Sequence, residues 1–264
     1  MAKTSKNVLK FLNSLQEKLK QRNTIDLKKL LDFKKTIIPN ASQLNAWDLR
    51  FLSYQLKKKD YQLDDEKIRE YFPTHTVIEG LFKVYSNLLG VEFTPVLDAK
   101  TWADGVQLYQ IRDQDDHSLL GYFFTDFIPR KGKYGHAAAF TLHSGKILND
   151  GKYSHPISAI VANFTPPEAG KPVLLTHNEV ETLFHEFGHI MHQTLTRAPF
   201  ASLSGSNVDQ DFVEAPSQML ENWVYSPEIL TLLSGHYKMP DKKLPIELIQ
   251  QIVKARDFTK DILY

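Results

Sequence analysis

The stretch Thr176-His177-Asn178-Glu179-Val180-Glu181-Thr182-Leu183-Phe184-His185-Glu186-Phe187-Gly188-His189-Ile190-Met191 has the pattern of a capped amphipathic helix. Thr176 with Glu179 three residues on matches a capping box, in which each side chain accepts from the other residue's backbone N–H. Val180, Leu183, Phe184, Phe187, Ile190 and Met191 supply the apolar face. The helix is expected to begin near His177 and to end before Pro199, because the residue preceding a proline is pushed out of the helical region. Gly188 inside it costs about 1 kcal/mol relative to Ala, which points to a neighbour that a Cβ would crowd.

Helical residues four apart differ by ~40° in rotation and ~6 Å in rise, so His185 and His189 project from one face and can share a metal ion. Glu186 is set to the side, poorly placed as a third ligand and well placed to take a proton from a water on that ion. In a chain with 10 His and 13 Glu, about 0.02 such patterns are expected by chance. The zinc signature with a third histidine wants Gly and His where this chain has His192 and Leu195, so that class is excluded and His192 reads as an ordinary helix residue. The remaining ligand of a His₂-carboxylate zinc site should then come from a following element. Asp209, Asp211, Glu214 and Glu221 are the candidates. Glu214, Gln218 and Glu221 define one polar helix face opposite Met219, Leu220, Trp223 and Val224, and spacing does not separate Glu214 from Glu221. Asp211 is a candidate cap for that helix, and Pro216 predicts a kink or a frayed start.

Working outward, residues 1 to 95 read as helical: Asn7 to Gln21, Asp26 to Thr36, Ala46 to Lys59 and Thr76 to Leu89 carry apolar residues three and four apart. Residues 106 to 165 turn to β-branched and aromatic runs, Val106 to Ile111, Leu119 to Ile128, Ala137 to Leu142 and Ile157 to Phe164, expected as a small meander whose edge suits an extended peptide. Helical spacing returns over residues 176 to 264. The expected fold is mainly α with a small β-sheet, an α+β arrangement of the zincin-like helical kind, with no linker dividing the 264 residues. Zero cysteines exclude a disulfide scaffold, a Cys-ligated zinc finger and a thiol nucleophile, so any metal sits on His and carboxylate. Residues 1 to 60 hold 14 Lys/Arg against 5 Asp/Glu, the remainder 18 against 26. The lysines alternate with Val8, Leu9, Phe11, Leu12, Leu15, Leu19, Leu27, Leu30 and Leu31 at helical spacing, so they read as the solvated face of packed helices, with no nucleic-acid partner expected. No apolar run approaches the ~20 residues of a membrane span, and Met1 to Lys6 lacks the core of a secretory signal, so a cytoplasmic location is expected.

The segment from His185 through Gln193, then Phe200-Ala201-Ser202-Leu203-Ser204-Gly205 and Asp211-Phe212-Val213-Glu214-Ala215-Pro216-Ser217-Gln218-Met219-Leu220-Glu221-Asn222-Trp223, closely resembles the thimet oligopeptidase and neurolysin family of zinc peptidases. Lys133-Tyr134-Gly135-His136-Ala137-Ala138, Val161-Ala162-Asn163-Phe164-Thr165, Tyr71-Phe72-Pro73 and Met1-Ala2-Lys3-Thr4 extend the resemblance along the chain. It implies that Glu214 is the third ligand of one zinc ion, that Glu186 is the catalytic base toward a metal-activated water, and that the substrates are short peptides cleaved internally in a narrow channel. Members of that family are much longer. The resemblance therefore also implies a central segment of one catalytic domain, whose other channel wall and Gly/Tyr-rich substrate loop belong to flanking segments. It leaves as the alternative a zinc-binding fragment with impaired turnover that serves at most as an interaction module.

Overall fold

The computed structural model of the chain describes residues 2–164 and 170–256. Met1 and Thr165 of the stretches quoted above, and residues 257–264 of the expected helical tail, lie outside them. Along the chain run α1 (Ser5–Ile37), α2 (Ala46–Tyr61), α3 (Asp65–Arg69) and α4 (Thr74–Leu89), then β1 (Val91–Pro95), β2 (Gln107–Asp113), β3 (Leu119–Asp126), β4 (Ala138–His143), β5 (Lys146–Ile147), β6 (Tyr153–Ser154) and β7 (Ile157–Val161). They are followed by α5 (His177–Thr194), α6 (Ala215–Glu221), α7 (Pro227–Leu233) and α8 (Ile246–Ala255). The fold is mainly α with a small sheet, as the periodicities predict. The elements gather into two compact units, Met1–Asp64 with Glu247–Tyr264, and Asp65–Ile246. No helix among the described residues is long and apolar enough to cross a membrane.

In the first unit the two helices expected before residue 37 are one, α1. The apolar period lapses around Arg22 to Thr24, but no Pro or Gly interrupts the backbone there, and Arg22 donates to Asp26 across the lapse at 2.7 Å. Leu30, Leu52 and Leu56 form a small core with Phe33, Leu44 and Leu49 packed on it. Beside it Lys34 is buried, its amine 2.6 Å from Asp48 and donating to the Gln43 carbonyl. Burial of the apolar face thus holds for the second half of α1 only. In the first half Leu9 and Phe11 are 59% and 65% exposed, and Val8, Leu12 and Leu15 are open as well.

In the second unit the sheet has the order β1-β2-β3-β7-β4. β1 falls where a helical segment was expected. It is a short edge strand, a position that tolerates Pro95. The meander is also corrected: β3 and β7 are parallel neighbours in the register Tyr122↔Ile157 to Asp126↔Val161, and β4 lies outside them, antiparallel to β7. Parallel neighbours require a crossover rather than a tight turn, and the segment holding β4 and the β5–β6 hairpin supplies it.

α4 and α5 pack on this sheet through aromatic rings. Phe82 of α4 stacks on Phe93 of β1 at 4.7 Å, and Phe123 of β3 meets Phe187 of α5 edge-on at 5.3 Å. Buried Tyr85 donates its hydroxyl to the Phe184 carbonyl at 2.9 Å, joining α4 to α5. These contacts hold α5 by its apolar face and fix the direction in which its histidines point.

At the end of β3 a buried charge cluster ties strand to loop. Asp126 accepts two bonds from Arg130 at 2.7 Å, one from Trp102 Nε1 at 2.9 Å, and faces Lys133 Nζ at 2.9 Å. Lys133 also donates to the carbonyls of Asp126, Ile128 and Ala162. Burial by itself raises the Asp126 pKa, but the donors of Arg130, Trp102 and Lys133 outweigh it and hold the carboxyl well below the usual carboxylate range. Asp126→Ala should therefore destabilise the fold by about 3–5 kcal/mol in urea unfolding at neutral pH, because it strands a buried ammonium. A depressed carboxyl stabilises fully above the unfolded value of about 3.9 and loses that stabilisation as pH falls through the folded value, so the two proteins should converge in strong acid. A loss under about 1 kcal/mol would mean that the cluster is not a net stabiliser.

Candidate metal centre

α5 starts at His177, as its cap predicts. The Glu179 backbone N–H donates to Thr176 Oγ1 at 3.2 Å and the Thr176 N–H to Glu179 Oε2 at 2.7 Å, completing the capping box. His185 and His189, one turn apart, lie with ring centroids 4.9 Å apart and planes at 83°. α6 begins at Ala215 with Pro216 in its first turn, where the missing N–H has no helical partner to lose. Asp211 does not cap α6. Glu214 occupies the N-cap position, and Asp209 and Asp211 sit exposed in the preceding turn.

Of the four candidate carboxylates the fold brings Glu214 to the histidines. One ligand atom from each of His185, His189 and Glu214 lies within 4.8 Å of the others, the one such group of His and acidic side chains among the described residues. Glu214 Oε2 is 3.3 Å from His185 Nε2 and 3.1 Å from His189 Nε2. Glu221, inseparable from Glu214 by spacing, sits behind: His185 Nδ1 is 2.6 Å from Glu221 Oε1. With Glu221 set against Nδ1, the His185 ring presents Nε2 toward the Glu214 oxygen. Nε2 and Oε2, 3.3 Å apart, are both atoms that can ligate a cation set between them. Two imidazole nitrogens and one carboxylate oxygen, with a carboxylate behind one histidine, suit a borderline-soft divalent ion with an open coordination position.

Glu186 is buried, 9% exposed. Burial pushes its pKa up, the neighbouring His185 opposes the rise, the Glu214 charge adds to it, and the Ala139 N–H of β4 pulls it down. Burial lowers the His189 pKa, against the pull of Glu214 and with the repulsion of His185, which favours the neutral ring a metal ligand needs. His192 has a pKa lowered by burial and is not part of the group. At Gly188 an added Cβ would lie 2.8 Å from Ser217 Cα and 3.2 Å from Leu220 Cδ1, so the glycine is required by the close approach of α5 and α6. Sequence reading missed Ser217, whose hydroxyl is 2.9 Å from Glu214 Oε2, and the Ala139 N–H beside Glu186. The spacing of Ser217 three residues after Glu214 is a signal that could have found the first; nothing local signals the second.

The family model for peptidase family M3 matches residues 1–263. A thimet-like oligopeptidase of Dictyostelium discoideum is 38% identical over 274 residues, covering 100% of this chain and 41% of its own length. Saccharolysin of Saccharomyces cerevisiae is 36% identical over 97% of this chain, and oligopeptidase A of Escherichia coli 36% over 98%, each across 38% of its own length. The chain thus spans about two fifths of the length of these relatives.

Proposed function

The chain belongs to peptidase family M3, and from that membership we propose that it is a zinc metallo-oligopeptidase, hydrolysing internal bonds of short peptides. His185, His189 and Glu214 hold one zinc ion, and Glu186 is the catalytic base. The observation that carries this reading is the convergence of the two Nε2 atoms and Glu214 Oε2 beside a buried glutamate. Residues 1–264 are read as part of one catalytic domain, in keeping with the extent of the family match. The oligopeptidase names of the relatives support peptide substrates. No nucleic-acid partner belongs to this reading, oligomeric state is left open, and the location that goes with it is cytoplasmic.

When bound, the ion supplies Lewis-acid polarisation of the scissile carbonyl and acidification of a water. The chain's own residues do the rest. Glu186 takes a proton from the attacking water and returns it to the leaving amine, a double duty favoured by a pKa raised through burial. Glu221 holds the His185 ring in the tautomer with Nε2 free. β4, last in the sheet order and beside Glu186, offers a backbone edge along which an extended substrate would align.

The test is cleavage of a short internally quenched peptide by the 264-residue chain, with and without a chelator. Turnover abolished by chelator and restored by zinc is expected; turnover insensitive to chelator would overturn the reading. A second reading, a zinc-binding fragment with impaired turnover, is favoured by the open apolar side chains of Phe200, Leu203 and Met219, 62–64% exposed. Zinc uptake with no turnover would support it.

A further inference from the structure

Resting on the metal reading above, we propose that Ser217 is a positioning residue that sets the Glu214 carboxylate as the third ligand. Glu214 needs such a device. It lies outside the regular turns of α6, at the N-cap position, and its side chain is 48% exposed. A glutamate there has three free torsions and water as a competing partner, so its carboxylate would otherwise sample many orientations.

Ser217 is fully buried, and its hydroxyl is within reach of two oxygens of one residue: Glu214 Oε2 at 2.9 Å and the Glu214 carbonyl at 3.0 Å. The hydroxyl has one proton to give. The carbonyl already accepts the helical N–H of Gln218 at 3.0 Å, whereas the carboxylate is charged and the stronger acceptor, so the proton goes to Oε2. Oε2 is also the atom that faces both imidazoles, at 3.3 and 3.1 Å. A single bond therefore fixes which carboxylate oxygen faces the metal-binding nitrogens and holds it there.

Placing a hydroxyl at that point depends on α5 and α6 running close together. Gly188 permits this, since any Cβ there would lie 2.8 Å from the Ser217 Cα. Ser217 is consequently held by packing from the α5 side and can act as a rigid donor toward a carboxylate that is itself half in water. Glycine in α5 and serine in α6 together let the exposed start of one helix supply a ligand to the buried middle of the other.

The experiment compares the full chain with its Ser217→Ala variant. Zinc affinity is measured by competition with a chromophoric chelator, visible absorption after cobalt loading, and thermal unfolding with and without metal. Losing an outer partner of a ligand typically weakens metal binding by about 10–100-fold. That loss is expected here, with a changed cobalt spectrum and an unchanged melting temperature of the metal-free form. A zinc affinity within about twofold of wild type, or a metal-free form that has lost stability or fold while affinity per folded molecule is retained, would overturn the assignment and leave Ser217 as packing. A wild-type chain that takes up no zinc would sink the metal reading and this inference together, so the two failures are told apart by the wild-type measurement alone.

Discussion

Glu186→Gln should lower kcat for a short peptide by about 10²–10⁴-fold, the usual contribution of a general base, with zinc affinity close to that of the unsubstituted chain. The amide is nearly isosteric with the carboxyl and cannot accept the water's proton. A second signature follows from the raised pKa of Glu186, caused first by burial. A carboxyl whose folded pKa lies above its unfolded value destabilises the metal-free fold once pH exceeds that unfolded value, because the folded state resists the charge. Gln carries no charge at any pH, so the metal-free variant should be at least as stable as wild type near neutrality and lose that advantage in acid. Near-normal turnover by Glu186→Gln would remove the general-base role. Full loss of turnover together with loss of zinc would instead place Glu186 among the groups that hold the ion.

His185→Ala should abolish zinc binding and peptide hydrolysis together, well beyond the ~10–100-fold expected from losing a supporting residue. His185 occupies the centre of the site: its Nε2 faces Glu214 Oε2 at 3.3 Å and its Nδ1 lies 2.6 Å from Glu221 Oε1. Without the ring, the ion keeps His189 and a half-exposed carboxylate, one short of the three protein ligands of a catalytic zinc site. The substitution also removes the ring that stands between Glu221 and Glu214 at the two ends of α6. Zinc titration and a peptide assay on the same preparation check the expectation. Retained stoichiometric zinc would mean that another side chain supplies the ligand, and the assignment would fail at its centre.

What could be read along the chain and what could not divide by the range of the interactions involved. The helical pairing of His185 with His189, the displacement of Glu186 from them, and the capping box of Thr176 and Glu179 all rest on contacts within four residues. Helix geometry fixes these whatever surrounds them. The mainly helical class with a small sheet was legible for the same reason, since the period of apolar residues reports local conformation. Reading failed where the local signal was weak or shared. Arg22 to Thr24 look like a break in apolar spacing, yet nothing in the backbone prevents α1 from continuing through them. Val91–Pro95 is too short to announce itself and becomes a strand by pairing with β2.

The amino-acid sequence by itself determined the chemistry available: two imidazoles on one helical face, a carboxylate beside them, several carboxylates downstream and no thiol. The tertiary structure alone decided which of those carboxylates enters the group. Glu214 stands at the N-cap of α6 and Glu221 at its other end, and their separate places, one between the imidazoles and the other behind His185, follow from how closely and at what level α6 passes α5. That passage is set by Gly188 against Ser217 and by the aromatic packing that anchors α5 to α4 and the sheet. The parallel pairing of β3 with β7, which leaves β4 at the edge beside Glu186, is of the same kind. Each is a contact between residues far apart in the chain, whose energy depends on the packing of whole elements and leaves no periodic trace in either partner.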